Sequence, residues 1–136
     1  MKFKSRHIRG KGRGKGMGFP TINLKIPEDF TLKDGVYASK VSIDNNTFLG
    51  ALHFGPVMTF NEWDKTLEIH LIDLVDDKLN SLDKKTIKVE IIKYLRPVMK
   101  FNSEKALVNQ IVKDVGQIKA LNDKSQITNG STTLTI

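Results

Sequence analysis

At 136 residues the chain is long enough for one hydrophobic core and too short for two ordinary domains, and 39% apolar with 27% charged residues is a globular composition. The absence of cysteine excludes disulfides, thiolate metal sites and cysteine nucleophiles and suits a reducing cytoplasm; no stretch approaches the ~18 consecutive apolar residues of a membrane span, and the start lacks the apolar segment of a secretory signal. The net charge of +7 is confined to the first fifteen positions, where Lys2, Lys4, Arg6, Arg9, Lys11, Arg13 and Lys15 stand without an acidic residue, leaving a body of fifteen basic and fifteen acidic residues.

Such a basic segment attracts anions: nucleotide phosphates, nucleic acid or an acidic surface. Within it, residues 10–18 carry glycine at every even position. A helix or packed strand does not tolerate that spacing, so a loop is expected, with a backbone able to approach a ligand closely. Phe19 to Leu24 reads as a short extended piece, and Pro27-Glu28-Asp29 and Lys33-Asp34-Gly35 read as turns. Val36 to Ile43 is predicted as a strand with Tyr37, Ser39, Val41 and Ile43 on one face, followed by a turn at Asp44-Asn45-Asn46. A second strand is expected from Thr47 to Phe54, broken by Gly55-Pro56. Thr66 to Leu74 alternates clearly, with Leu67, Ile69 and Leu71 on one side and Glu68 and His70 on the other. Asp76 to Lys85 is polar and loop-like, and Thr86 to Leu95 is the last strand. One helix is predicted, capped by Ser103, with Leu107, Val108, Ile111, Val112, Val115 and Ile118 as its apolar stripe, Asp114 at the border, and an end near Leu121-Asn122. Antiparallel strands followed by a single helix point to a small β-barrel with the helix packed on it.

Three places carry residue types suited to chemistry. Backbone N–H groups in the glycine run can form an anion-binding nest, with Arg13 or Lys15 adding charge. Alone, such a stretch is more often a flexible basic tail, and it is not a Walker A sequence, because the Gly-Lys-Ser/Thr ending and the following helix are absent. Thr21 and Asn23, two apart on an extended chain, face the same side. Their hard neutral oxygens suit Mg²⁺ when phosphates supply the remaining ligands; apart from the glycine run they would read as a turn threonine and a capping asparagine. Glu68 sits mid-strand, opposite the apolar face, and is a candidate general base if its face lines a cleft. A single acidic strand residue is more commonly on a solvated face. His70 reads as a hydrogen-bonded histidine rather than a catalyst. Arg96, at the end of the last strand, suits either an ion pair or a ligand cleft. His7, His53 and His70 are too scattered in the sequence for a zinc triad.

In this order, Gly10-Lys11-Gly12-Arg13-Gly14 with Gly18-Phe19-Pro20-Thr21-Ile22-Asn23-Leu24, Gly35-Val36-Tyr37-Ala38, Leu67-Glu68-Ile69-His70-Leu71-Ile72-Asp73, and Tyr94-Leu95-Arg96-Pro97 with Lys100-Phe101 and the helix bearing Asp114 resemble the riboflavin kinase family. The resemblance runs from about Ile8 to Leu121. It implies a mainly β fold: a six-stranded antiparallel Greek-key barrel with a C-terminal helix packed on it. Residues 1–122 would form the single domain, and 123–136 a tail, disordered or adding one short strand. The implied reaction moves the γ-phosphate of ATP to the 5′-hydroxyl of riboflavin, giving FMN and ADP, with Mg²⁺ and no tightly bound organic cofactor. By this likeness Gly10, Gly12, Arg13, Gly14, Lys15, Gly16, Gly18, Pro20, Thr21 and Asn23 bind the nucleotide. Thr21 ligates Mg²⁺ with Asn23 in support, Glu68 takes the hydroxyl proton, and Arg96 and Phe101 lie on the flavin side. A cytoplasmic monomer is expected, with riboflavin/FMN and ATP/ADP as partners and neither membrane nor nucleic acid.

The chain departs from the family pattern at 77–84, which is longer than the usual DLYGK-type turn and lacks its Tyr-Gly pair, and at Gly55 to Phe60, which replaces an asparagine-proline-threonine segment. Ile22 stands for the alanine of PTxN. Many bacterial relatives carry an N-terminal adenylyltransferase for which this chain has no room, so the reaction is expected to stop at FMN unless the chain is a fragment. The main alternative is a nucleic-acid-binding barrel with a basic arm. It leaves GFPTIN and Glu68 without a role and offers only Phe3 and Phe19 near the basic run for base stacking. A flavin- or nucleotide-binding module without catalysis, or a kinase using another nucleoside triphosphate, are the remaining readings.

Overall fold

Each strand alternates a side chain that enters an apolar interior with one that leaves it, and the chain closes this alternation into a barrel. The computed structural model describes residues 1–10, 18–74 and 85–135, with side chains described as far as 123. The strands are β1 (Lys2–Ile8), β2 (Thr21–Leu24), β3 (Gly35–Ile43), β4 (Asn46–Val57), β5 (Glu62–Leu71) and β6 (Thr86–Arg96), with a 3-10 turn at Met58–Phe60 and helix α1 (Glu104–Thr135) at the end. Their order around the closed barrel is β1-β2-β5-β4-β3-β6, and every neighbouring pair is antiparallel. Strands β3, β4 and β5 form a meander, while β2 joins β5 and β6 joins β3. This is the six-stranded Greek-key barrel with a C-terminal helix that the sequence led us to expect.

The interior is filled by the inward faces of the strands: Ile22 and Leu24, Val41 and Ile43, Leu52 and Phe54, Leu67, Ile69 and Leu71, Ile87 and Val89 are all buried. Ser39 shares this interior and donates a hydrogen bond to the Gly50 carbonyl at 3.0 Å. Gly50 cannot be larger, because a Cβ there would stand 2.6 Å from Ile69 Cγ2.

Strand β5 begins at Glu62 and ends at Leu71, where Thr66 to Leu74 was expected, and three further elements differ from the sequence expectations. Residues 2–8 form a strand, for which the sequence reading named no element. Their inward positions are Phe3, Ser5 and His7, and one apolar residue among three is too weak an alternation to read locally. Pairing with β6, from Lys2↔Glu90 to Arg6↔Thr86, supplies what the local pattern lacks. Lys2, Lys4 and Arg6 are therefore exposed on the outer face of the barrel. Strand β4 passes through Gly55-Pro56 instead of stopping. Proline has no N–H for the ladder, and it falls where the register against β5 shifts between Gly55 and Val57, so no paired donor is lost.

Helix α1 is the third difference. Ser103 caps it as expected, its Oγ accepting from the Ala106 N–H at 3.1 Å, but the backbone stays helical through Thr135, past the expected end near Asn122. No proline interrupts residues 123–135. Its buried face also differs. Val112 is 54% exposed, while Asp114 is 2% exposed, in step with Leu107, Ile111, Ile118 and Leu121. The lower half of this face, with Ile118, Val115 and Leu121, packs on Ala38, Ile72, Leu49, Ala51 and Leu95, outside the barrel. The helix is thereby fixed to one outer face and walls off part of it.

Candidate active site

Outward-facing residues on five strands form one continuous row. Asn23 on β2 is paired with Glu68 on β5, Glu68 with His53 on β4, His53 with Val36 on β3, and Val36 with Arg96 on β6. At ~4.8 Å between neighbouring strands, this row spans roughly 19 Å of the barrel wall. Thr21, His70 and Ala51 form the next row in the same way. Both rows line a cleft of about 990 Å³, bounded on one flank by Ile8, Arg9, Gly10 and Phe19 and on the other by Leu107, Ile111 and Asp114 of α1. The face that alternation makes polar is therefore not solvated wall; the helix and the N-terminal segment turn it into a concave site.

The β2 side is built by close backbone approach. A Cβ on Gly10 would stand 1.8 Å from the Asn23 side-chain nitrogen, so only glycine lets this segment lie against the Asn23 amide. Gly18 has φ +87°, a conformation that side-chain-bearing residues rarely adopt, and it turns the chain into Phe19-Pro20-Thr21. His70 holds this segment from the other side. Its Nδ1 lies 2.8 Å from the Pro20 carbonyl, to which it donates, and its ring packs edge-on against Phe19 with centroids 5.4 Å apart. Gly12, Arg13, Gly14, Lys15 and Gly16 lie outside the described residues, as does the 77–84 departure from the family pattern.

In the middle of the row, Thr66 Oγ1 donates to Glu68 Oε2 at 2.8 Å, which fixes the carboxylate's orientation on the cleft floor. Opposite it, His53 presents an imidazole whose Nδ1 is buried and has no hydrogen-bond partner among the described residues. Burial holds His53 below its usual range, assisted by the Arg96 charge and opposed by the Glu68 carboxylate. The imidazole that faces the carboxylate is thereby biased towards its neutral form. His53 is the site residue that sequence reading missed, since its proximity to Glu68 depends on the register of β4 against β5.

At the far end, Arg96 does two things the sequence left as alternatives: it lines the cleft, and it is ion-paired. Its Nε and Nη2 donate to the two Asp114 carboxylate oxygens at 3.0 and 2.8 Å, and the Gln110 amide donates to Asp114 Oδ1 at 3.0 Å as well. Phe101 is not among the cleft-lining residues. Its ring faces the Arg96 guanidinium, 5.8 Å from the centroid, and its N–H donates to Thr59 Oγ1 at 3.1 Å.

A family model described as riboflavin kinase (Flavokinase) matches residues 1–122. The chain belongs to the riboflavin kinase family. It is 33% identical over 114 residues to the bifunctional riboflavin kinase/FMN adenylyltransferase of Listeria monocytogenes, covering 83% of this chain and 35% of that protein. The crystal structure named riboflavin kinase from Trypanosoma brucei superposes with a TM-score of 0.63 at 20% identity, covering 93% of this chain and 82% of that one; it supports the fold. A structure named macrolide-efflux protein, from Streptococcus pneumoniae, superposes at 0.71 with 27% identity, covering 85% of this chain and 38% of that one. No helix among the described residues is long and apolar enough to cross a membrane. The chain spans between 17 and 38% of the length of the curated relatives it matches. Family membership does not favour the nucleic-acid reading of the basic N-terminus.

Proposed function

We propose that the chain transfers the γ-phosphoryl group of ATP to the 5′-hydroxyl of riboflavin, giving FMN and ADP. The observation that carries this reading is the pairing of Asn23 with Glu68 on one cleft floor. It sets a residue suited to a phosphate-bound cation beside a carboxylate suited to take a proton from an alcohol. Family membership supports it, as do relatives named for riboflavin kinase and FMN adenylyltransferase activities.

Thr21 and Asn23 fit Mg²⁺ in chemistry and placement: both are half-buried, both line the cleft, and both offer hard neutral oxygens. When bound with ATP, the ion would neutralise charge on the phosphates. The protein's own work is positioning. Gly10, which lines the cleft beside Asn23, brings its backbone N–H group to the phosphates. Glu68 orients the riboflavin hydroxyl towards the γ-phosphorus. The hydroxyl oxygen forms the new O–P bond as the bond to the β–γ bridging oxygen breaks, and ADP leaves with that electron pair. The hydroxyl proton passes to Glu68 Oε1, the oxygen not engaged by Thr66. Arg96, fixed by Asp114, forms part of the flavin-side floor, and Phe101 supports it from behind.

Riboflavin-dependent release of ADP from ATP and Mg²⁺ is the expected result in a coupled assay; ATP turnover indifferent to riboflavin would remove the acceptor from this reading. Two substitutions test the β2 side. Gly10→Ala must displace the Asn23 amide, and a misplacement of this kind is expected to lower turnover by roughly 10²-fold while the protein stays folded. Full activity in that variant would show that the close approach has no catalytic role. Thr21→Ala is expected to raise the Mg²⁺ concentration needed for half-maximal rate and to leave riboflavin binding unchanged. An unaltered Mg²⁺ titration would count against Thr21 as a ligand.

A further inference from the structure

Trp63 is the only tryptophan in the chain and is 67% exposed, although an indole is among the side chains most worth burying. It does not face open solvent at random, because it lines the cleft, together with Phe60. Its position results from an irregularity in the β4–β5 hairpin. Gly55 pairs with Thr66 and Val57 with Glu62, so two steps along β4 are matched by four along β5. Trp63, Asp64 and Lys65 fall in this stretch, and such bulges beside sites re-aim side chains. The bulge is held: Lys65 Nζ lies 2.9 Å from an Asp34 carboxylate oxygen and 5.4 Å from the centroid of the Phe54 ring.

Distance and charge both narrow what the indole can meet. Five residues of strand separate Trp63 from Glu68, at most about 17 Å at the usual rise. That span is comparable to a ribityl chain plus a fused ring system. Glu62 and Asp64 flank the indole, so this end of the cleft disfavours phosphates and suits a neutral planar ring. On the helix flank, Leu107 and Ile111 give the same cleft an apolar lining.

We infer that Trp63 stacks on the isoalloxazine ring of riboflavin and sets the affinity of the site for the flavin. This rests on the kinase reading above, and assigns to this chain a specificity residue on the acceptor side. Stacking of a flat ring on an aromatic side chain tolerates Phe but not Ala, whereas a surface residue tolerates both.

The test is steady-state kinetics of Trp63→Ala and Trp63→Phe, with calorimetric binding of riboflavin in the absence of ATP. Trp63→Ala is expected to raise the KM for riboflavin, and to weaken its binding, by about tenfold. The KM for ATP and kcat should stay within about twofold, as for a lost contact made equally in ground and transition states, and Trp63→Phe should recover most of the loss. A rise in the KM for ATP instead would assign the indole to adenine, and an unchanged KM and affinity for riboflavin would make it a surface residue; either overturns the inference. If the wild-type protein forms FMN while Trp63→Ala binds riboflavin normally, this inference falls and the kinase reading stands. If the wild type forms no FMN, the kinase reading falls, and the calorimetry still decides whether riboflavin depends on Trp63.

Discussion

Replacing Glu68 by Gln is expected to lower the rate of FMN formation by roughly 10²–10⁴-fold, the range typical of a lost general base. The glutamine keeps the size of the side chain and can still accept a hydrogen bond from the Thr66 hydroxyl, so the cleft floor retains its shape. What it loses is the capacity to take a proton. The effect should fall on kcat, with the KM for ATP little changed, because the removed interaction develops only as the hydroxyl attacks. Asn23 beside it is uncharged, and burial holds His53 on the other side below its usual range, so the contribution of the Glu68 charge to stability is expected to be small. Unfolding by denaturant should accordingly shift by no more than about 0.5 kcal/mol, as for a substitution outside the core. Rates near those of the unsubstituted protein would remove Glu68 from the mechanism.

The second large effect is on stability. Asp114 is 2% exposed in the middle of the face that α1 turns to the barrel, and it is compensated there by the pairing with Arg96 and the Gln110 bond. Asp114→Ala leaves the Arg96 guanidinium half-enclosed without a counter-charge. Breaking a buried pair in this way is expected to cost about 3–5 kcal/mol, a large part of the ~5–15 kcal/mol that holds a domain folded. Urea unfolding measures it directly. A loss below about 1 kcal/mol would mean that the pair behaves as a solvated surface bridge. Replacing both partners by apolar residues of similar volume should recover most of the loss, because no charge is then stranded.

The legibility of this molecule in its sequence follows the range of the interactions concerned. The strands around Leu67-Glu68-Ile69-His70-Leu71 and Ile87-Lys88-Val89 could be read because their inward residues are apolar and the alternation is local. The same alternation put Glu68 on the face opposite the core, and the two-residue spacing put Thr21 and Asn23 on one side of β2. Strand β1 could not be read: Ser5 and His7 occupy inward positions, and only the partner strand makes a strand of residues 2–8. Asp114 was assigned to the border of its helix because a carboxylate in an apolar stripe has no local explanation; the explanation is Arg96, eighteen residues away and on another element. The nearness of His53 to Glu68, the contact of Gly10 with Asn23 and the lifted position of Trp63 all arise from register between strands, which residue type does not disclose. The composition of the site was therefore legible in part, and its geometry only through the fold.

The central claim, that this cleft phosphorylates riboflavin, is tested most directly by incubating the purified protein with riboflavin, ATP and Mg²⁺ and resolving the flavins by chromatography, with Glu68→Gln alongside. The expected result is conversion of riboflavin to FMN, with one ADP formed for each FMN, and little conversion by the variant. Unchanged riboflavin from a folded protein that is offered ATP, or GTP and CTP in its place, would contradict the claim.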